Sequence, residues 1–339
     1  MKRPGIAARL LILAPSLAAL VLGASLWLEY RRFLAEPLAV AESDVSFVIP
    51  RGASLRQIAD GLVADGHLRH PHFFIAHAYL TGQATRLQAG EYRWSGAMTA
   101  PEVLALFASG RVVQHSITIV EGWTLRRALA ALAALESLSG DLDGVSDEAL
   151  MTQLGRPAQH PEGRFFPDTY YFTRGTARIA ILRRALARMD EVLAEEWGQR
   201  SDEVALKTPY EALILASIIE KETGLAEERA KVAGVFVRRL QRGMRLQADP
   251  TVVYGLGDRY QGRLRKADLR SDTPYNTYVH KGLPPTPIAL PGRAAIRAAL
   301  HPASGDAVYF VAKGDGSHEF STTLEAHNRA VRQHILAED

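Results

Sequence analysis

Two glutamates follow a stretch of chain that is otherwise apolar. Residues 212–216 carry no polar side chain, and Glu220, Lys221 and Glu222 come shortly after them. Burial and the negative end of a helix dipole both disfavour a carboxylate there, so the pKa of Glu220 is predicted to be raised. A carboxylic acid that stays protonated at neutral pH can act as a general acid in glycoside or acyl chemistry. The alternative is a structural ion pair of Glu220 with Lys221 or Arg229.

The helix that must position these acids has a clear predicted start and end. Thr208 and Pro209 form the pattern of a cap residue followed by proline in the first helical position. Gly224 is predicted to end the helix, and the residues between are apolar on every side. Residues two apart on a helix point in different directions, so only one of Glu220 and Glu222 can enter a given cleft.

The composition is that of a folded protein. The chain has 339 residues, which is long enough for two domains. Its formal net charge is +3, and we find no basic face of the kind that binds nucleic acid. The absence of cysteine excludes disulfides, thiol catalysis and cysteine-bound zinc. His301, His318 and His327 lack the close spacing of a zinc motif, so neither a metal nor another cofactor is expected.

The amino terminus has the pattern of a membrane anchor. Residues 1–9 are basic, and residues 10–28 are uncharged and long enough to span a bilayer as a helix. The basic side is expected to stay in the cytoplasm, which places the remainder outside it. A cleaved signal peptide is the alternative, but Trp27 and Tyr30 favour a retained helix with interfacial aromatic anchors.

The next part of the chain is predicted to be a polar linker over residues 29–44 and a small α+β module over residues 45–115. The predicted elements of the module are strands at 45–49 and 90–94 and helices at 73–80 and 101–108. A unit of strand, glycine turn, Ser or Thr cap and helix occurs twice, at residues 49–56 and 119–126. Packing alone can produce such a repeat, so it does not by itself indicate a ligand site.

Two polar segments offer groups that could hold a sugar. Residues 247–251 and 274–278 are predicted to be irregular and are rich in amide, hydroxyl and phenol groups. Saccharides are bound by such groups together with aromatic faces. The alternative is that these loops only cover a core. Asp168 lies among aromatic residues in a stretch without helical period, where a plain core strand would not need it.

Several motifs in order resemble the endolytic murein transglycosylase (YceG-like) family. The matching segments are residues 162–170, 216–223, 246–251, 275–278, 283–288, 301–302, 309–312 and 327–328. The resemblance covers the chain from about residue 45 to its end. Thr286 departs from the pattern, because the family usually has glycine there, and we expect it to reshape the rim of the cleft.

The resemblance implies an α+β architecture in three parts. These are a single N-terminal transmembrane helix, a LysM-like peptidoglycan-binding module over residues 45–115, and a mixed α/β catalytic domain over residues 116–339. It implies a single-pass protein of the bacterial inner membrane whose catalytic domain is periplasmic. It also implies that Glu220 is the catalytic glutamate and that peptidoglycan is the substrate. The glycan strand would be cut internally between N-acetylmuramic acid and N-acetylglucosamine, leaving a 1,6-anhydro end.

This chemistry needs only one acid. Most glycosidases use two carboxylates, whereas here protonated Glu220 would protonate the glycosidic oxygen. The same carboxylate would then accept the proton of the muramic C-6 hydroxyl as that oxygen closes on the anomeric carbon. The residues expected to line the cleft or hold sugar groups are Asp168, Gln247, Asp249, Tyr275, Asn276 and Tyr278.

Two other functions remain open from the sequence. A hydrolytic muramidase would use Asp249 or Asp168 as a second carboxylate and would leave reducing ends. A non-catalytic peptidoglycan-binding scaffold would hold Glu220 as a structural acid. An anchor near newly made strands further predicts strand termination beside penicillin-binding synthases of the elongation or division machinery.

Overall fold

The computed structural model describes residues 6–38, 44–95, 97–202 and 204–334, without the side chains of residues 6–15 and Ser95. The chain divides into two compact units. The first contains Met1–His115 and Phe172–Gly175, and the second contains Ser116–Tyr171 and Thr176–Asp339.

The first unit is built around a two-stranded antiparallel sheet. Its elements are α1 (Ile6–Ala35), β1 (Asp44–Ile49), α2 (Leu55–Ala64), α3 (Pro71–Leu80), β2 (Gly90–Ser95) and α4 (Ala100–Ser109). Val45 pairs with Trp94 and Phe47 with Tyr92. Every second residue of β1 is buried, which is the pattern of a strand with one face on a core.

Helix α1 extends into the predicted linker. Its last residues and those just after it belong to the core of the first unit, where Phe33 and Leu38 are buried. The Leu38 N–H donates to the Met98 carbonyl oxygen. Tyr30, Phe33 and Leu34 have helical i, i+3 and i+4 spacing, so one face of the helix packs on this core. The polar linker over residues 29–44 is therefore absent as far as Leu38, and residues 39–43 lie outside the described part.

Within the part of the chain that is described, no helix is long and apolar enough to cross a membrane. Two predicted segments lie partly outside the described part of the chain: the cytoplasmic residues 1–9 and the membrane span over residues 10–28. The described part begins at residue 6, and its side chains are described only from Ser16 onwards.

The second unit is mainly helical. Its helices are α5 (Leu125–Ala133), α6 (Asp147–Gln153), α7 (Arg178–Gly198), α8 (Pro209–Glu222), α9 (Arg229–Gln241), α10 (Asp249–Leu256), α11 (Arg293–Leu300) and α12 (Leu324–His334). Short strands accompany them: β3 (His115–Thr118), β4 (Leu138–Ser139), β5 (Thr169–Phe172), β6 (Thr176–Ala177), β7 (Tyr309–Ala312) and β8 (His318–Ser321). The pairs are β3 with β5, β4 with β6, and β7 with β8. The predicted α+β class is confirmed.

Helix α8 is the centre of the second core. All residues from Ala212 to Ile219 are buried, and α8 packs against α7, α9, α10 and α11. The Thr208 hydroxyl accepts from the Glu211 N–H at 3.2 Å, which confirms the predicted cap. The Ser217 hydroxyl accepts a 3.0 Å bond from the Ile288 N–H, so the proline-rich segment is fixed to this helix. The last turn of α8 therefore directly follows a buried stretch of the helix.

The repeated turns have the predicted geometry. Gly52 has a φ of 77° and Gly122 a φ of 76°, in the left-handed region that favours glycine. The side chains of Ser54 and Thr124 each accept a hydrogen bond from the backbone three residues later. The first repeat thus begins α2, and the second begins α5.

Candidate active site

The two acids of α8 point to different surroundings. Glu220 Oε2 accepts a hydrogen bond from the Gly292 N–H at 2.9 Å, immediately before α11. A Cβ atom at Gly292 would lie 1.8 Å from Glu121 Oε1, so the Glu121 carboxylate lies against the same glycine. Burial raises the pKa of Glu220, the Gly292 N–H lowers it, and the Glu121 charge raises it, for a net increase. Glu220 therefore joins α8 to the start of α11.

The sequence left open a structural ion pair between Glu220 and either Lys221 or Arg229. Lys221 Nζ donates to the Gly122 carbonyl oxygen at 3.3 Å. Among the described side chains, Glu220 forms no salt bridge with Lys221 or Arg229, although both cations lower its pKa from a distance. The last turn of α8 is held by hydrogen bonds to backbone groups.

Glu222 faces a cavity of about 500 Å³. Its polar wall is formed by Glu222, Arg239, Gln247, Asp249, Tyr278, Tyr309, His318, His327 and Asn328. Burial, followed by the charge of Asp249, raises the pKa of Glu222 to about 8. A carboxyl group with that pKa is protonated at neutral pH and can donate a proton. The cavity has a size typical of small-ligand sites.

Asp249 borders this cavity and a second one of about 450 Å³, which also contains Lys221, Tyr254 and Tyr260. The Tyr278 hydroxyl donates to Asp249 Oδ1 at 2.6 Å. The prediction that residues 247–251 are irregular is wrong from Asp249 onwards, because α10 starts there. An acid and a proline suit a helix N-terminus.

Gln247 also lines the first cavity and has a φ of 53°, which is uncommon for a residue with a side chain. Arg239 stabilises this conformation. Its Nη1 donates to Gln247 Oε1 at 3.2 Å and to the Leu246 carbonyl oxygen at 2.7 Å. Arg239 was not predicted from the sequence, although a cation following the buried stretch of α9 was a signal.

Tyr275 and Thr286 form a pair that lines neither of the two cavities. Their hydroxyl oxygens are 2.8 Å apart, and the Thr286 hydroxyl donates to the Pro287 carbonyl oxygen at 2.9 Å. Thr286 is buried. Its hydroxyl group therefore forms hydrogen bonds inside the protein, whereas the sequence predicted that Thr286 would reshape the rim of the cleft. Tyr275 was expected to hold sugar groups, but its ring packs against Tyr254.

Asn276 and Asp168 do not line either cavity. Asn276 is fully buried; its amide donates to the Ser271 carbonyl oxygen at 2.7 Å and accepts from the Tyr278 N–H at 2.9 Å. It therefore braces the loop that presents Tyr278. Asp168 is exposed, and its carboxylate accepts from the Thr169 N–H at 2.7 Å. The direct sugar contacts expected of both residues stay predictions.

A further buried acid was not identified from the sequence. Glu162 accepts bonds from the Leu125 N–H at 3.0 Å and from the Tyr254 hydroxyl at 3.2 Å. Burial raises its pKa to about 7. Both carboxylate oxygens are used inside the protein, so Glu162 caps α5. In the described parts of the chain, no group of His, Asp and Glu side chains could hold a metal ion.

Comparison with known proteins gives a consistent result. The sequence profile of the YceG-like family matches residues 47–333. The chain is 31% identical to a Bacillus subtilis protein named endolytic murein transglycosylase, over 91% of this chain and 90% of the relative. It is 29% identical to a Streptococcus pneumoniae protein of the same name, over 86% of this chain and 58% of that longer relative.

A solved structure is also similar. The crystal structure of a YceG-like protein from Listeria monocytogenes matches with a TM-score of 0.56 and 30% sequence identity. The match covers 85% of this chain and 98% of the Listeria chain. Because the family profile spans most of the sequence and the fold agrees, the chain belongs to the YceG-like family.

Proposed function

We propose that the protein is a lytic murein transglycosylase that cleaves peptidoglycan glycan strands internally and leaves 1,6-anhydro ends. The observation that carries this proposal is the position of Glu222, an acid with a raised pKa that faces a cavity beside Asp249 and Tyr278. The names of the Bacillus and Streptococcus relatives support the reaction and its substrate. A raised acid pKa in a ligand-sized cavity suits the proton transfer that the reaction needs.

The geometry favours Glu222 as the proton donor, whereas the sequence resemblance favours Glu220. Glu222 lines the cavity that also contains Gln247, Asp249 and Tyr278. Glu220 instead accepts the Gly292 N–H. We infer that Glu222 is the acid and that Glu220 positions the last turn of α8.

The proposed reaction uses one carboxyl group twice. Glu222 donates its proton to the glycosidic oxygen as the bond to the anomeric carbon breaks. The resulting carboxylate accepts the proton of the muramic C-6 hydroxyl while that oxygen bonds to the anomeric carbon. No water is consumed, and Glu222 is protonated again. Asp249, on the same cavity wall, would stabilise positive charge on the sugar, and Gln247 and Tyr278 would orient its polar groups.

Three variants separate the roles of the two acids. Purified glycan strands are incubated with Glu222→Gln, Glu220→Gln or Glu220→Ala protein, and the products are analysed by mass spectrometry. We expect Glu222→Gln to abolish anhydro products. We expect Glu220→Gln to stay active, because an amide oxygen still accepts the Gly292 N–H, and Glu220→Ala to be slower. Loss of activity in Glu220→Gln with retention in Glu222→Gln would assign the acid to Glu220.

The closeness of Asp249 to Glu222 also favours a second candidate, the hydrolytic muramidase. In that reaction Asp249 would assist the attack of water. Cleavage in isotopically labelled water distinguishes the two: hydrolysis incorporates the label at the new end, and anhydro-ring formation does not. A non-catalytic scaffold would yield no cleavage with the unaltered protein.

We also propose the cellular setting that the sequence predicts. The apolar part of α1 would anchor the chain in the bacterial inner membrane with the body in the periplasm. The β-α-α-β order of β1, α2, α3 and β2 supports a LysM-like role in peptidoglycan binding over residues 45–115. Anchored there, the enzyme would terminate nascent strands beside penicillin-binding synthases.

A further inference from the structure

Helix α1 leaves the first unit with its apolar side chains uncovered. All residues from Ser16 to Glu29 are exposed, and the exposed fractions of Leu20 and Trp27 are 71% and 57%. A helix that is apolar on every side needs an apolar environment. Under the membrane anchoring proposed above, this environment is the lipid bilayer, and the bilayer surface lies near Trp27 and Leu28.

The orientation of α3 relative to α1 follows from aromatic contacts. The Tyr30 hydroxyl lies 2.8 Å from His77 Nδ1, and the Tyr30 and Phe73 rings are 5.8 Å apart. Farther along α1, Phe33 contacts Phe73 at 5.7 Å and His70 at 6.5 Å. Moving forward along α1 therefore means moving backward along α3. The two helices run antiparallel, and the C-terminal end of α3 points back toward the apolar part of α1.

This register brings two exposed apolar residues to the level of the bilayer surface. Tyr79 and Leu80 are 68% and 77% exposed, and they follow His77 by two and three residues. At about 1.5 Å per residue, they lie level with Trp27 and Leu28, the same distance before Tyr30 on α1. Aromatic residues such as Trp and Tyr are enriched at this depth in membrane proteins.

The C-terminal end of α1 is packed against the rest of the first unit. Phe33 and Leu38 are buried, and the Leu38 N–H bonds to the Met98 carbonyl oxygen. The Arg31 guanidinium lies 5.3 Å from the Trp27 ring centre, which places a cation beside the interfacial aromatic residue. The first unit therefore has a fixed position along α1 and cannot move away from the surface on a flexible tether.

We propose that Tyr79 and Leu80, at the end of α3, form a second membrane contact that inserts into the headgroup layer of the leaflet from which α1 emerges. This inference rests on the proposed anchoring by α1. It assigns a lipid surface as the partner of an exposed apolar patch. The first unit would then rest on the membrane with a defined face.

The absence of cysteine allows a depth measurement on the full chain. Single cysteines at Tyr79, Ala76, His72 and Leu20 are labelled with a fluorophore, and the protein is reconstituted into phosphatidylethanolamine–phosphatidylglycerol vesicles containing a headgroup-attached or an acyl-chain-attached quencher. His72, Ala76 and Tyr79 are exposed and have i, i+4 and i+7 spacing, so they share one face of α3. His72 is the matched control, about 10 Å farther from the proposed surface than Tyr79.

We expect the acyl-chain quencher to quench the label at Leu20. The headgroup quencher should quench most strongly at Tyr79, less at Ala76 and least at His72. Equal quenching at Tyr79 and His72, with Leu20 quenched, would overturn the membrane contact of α3 and leave the anchoring intact. An unquenched label at Leu20 would overturn both. The catalytic proposal is tested separately by the products formed from free glycan strands.

Discussion

The Tyr278 hydroxyl donates a 2.6 Å hydrogen bond to Asp249 Oδ1, at the point where two cavities of the second unit meet. Asp249 in turn contributes to the raised pKa of Glu222. Hydrogen bonds to carboxylates are stronger than those between neutral groups. Tyr278 thus fixes the charge that lies beside the proposed acid.

Replacement of Tyr278 by phenylalanine is expected to slow catalysis. Loss of a hydrogen bond to a charged group costs about 1.5–3 kcal/mol, which corresponds to a fall in kcat of roughly 10- to 100-fold if Asp249 acts in the transition state. Steady-state cleavage of purified strands measures this. Tyr275→Phe is the control, because Tyr275 bonds to Thr286 and lines neither cavity. Equal losses in both variants would contradict the role given to Tyr278.

The stability of the protein is expected to fall as pH rises toward 8 because of Glu222. Its pKa is about 8 in the folded protein against an ordinary value of 4.5, so the folded state binds this proton more tightly. The resulting stabilisation is complete below pH 4.5 and is lost as pH rises through about 8. Its full size is roughly 3–5 kcal/mol.

Urea unfolding at several pH values measures this effect as the difference between the unaltered protein and Glu222→Gln. Glu162, whose pKa is about 7, adds a change of the same sign in both proteins and cancels in that difference. The rate of strand cleavage should decline above about pH 8, since the donor is then ionised. A difference in unfolding free energy that does not vary with pH would show that Glu222 has an ordinary pKa.

A side chain at Gly163 is expected to destabilise the second unit strongly. Gly163 has a φ of 81°, and a Cβ atom there would lie 2.3 Å from Pro287 Cβ. Left-handed backbone costs about 1–2 kcal/mol for a residue with a side chain, and overpacking adds about 1–3 kcal/mol. Gly163→Ala should therefore lower the unfolding free energy by roughly 2–5 kcal/mol, as measured by urea unfolding.

Gly155→Ala provides the matched control for that substitution. Gly155 has a similar φ of 75° but no atom within 4 Å of the position of a Cβ atom. It should show only the backbone cost, about 1–2 kcal/mol. Equal effects at the two glycines would mean that the contact with Pro287 relaxes freely.

The first unit should have the opposite pH dependence at acidic pH. Glu91 is buried, which would raise its pKa, but hydrogen bonds from Arg174, His115 and Ser46 outweigh burial and lower the pKa to about 2. Its contribution to stability is present above pH 4.5 and is lost as pH falls through about 2. Hydrogen exchange of β1 and β2 should accelerate over this range, and Glu91→Gln should remove that dependence. Unchanged exchange in acid would contradict it.

Local patterns in the sequence were enough to predict the main elements of the site. The cap at Thr208, the following proline and the apolar run define α8, because these signals act within one or two helical turns. The repeated glycine turns are local in the same sense. The order of motifs also identified the family.

The sequence did not determine which acid faces the cavity. Helix α8 is apolar on every side, so its hydrophobic pattern has no polar face from which to infer its rotation. That rotation is set by packing against α7, α9, α10 and α11, and it directs Glu222 toward Asp249 and Glu220 toward Gly292.

The loop residues show the same division. Residue types alone made Asn276 and Tyr278 equal candidates for binding sugar, because both carry hydrogen-bonding groups. The tertiary structure buries Asn276 as a brace and leaves Tyr278 on the cavity wall with Asp249. Chemistry and local structure were thus determined by the sequence itself. The direction of each side chain was decided by contacts between segments far apart in the chain, which local periodicity does not encode.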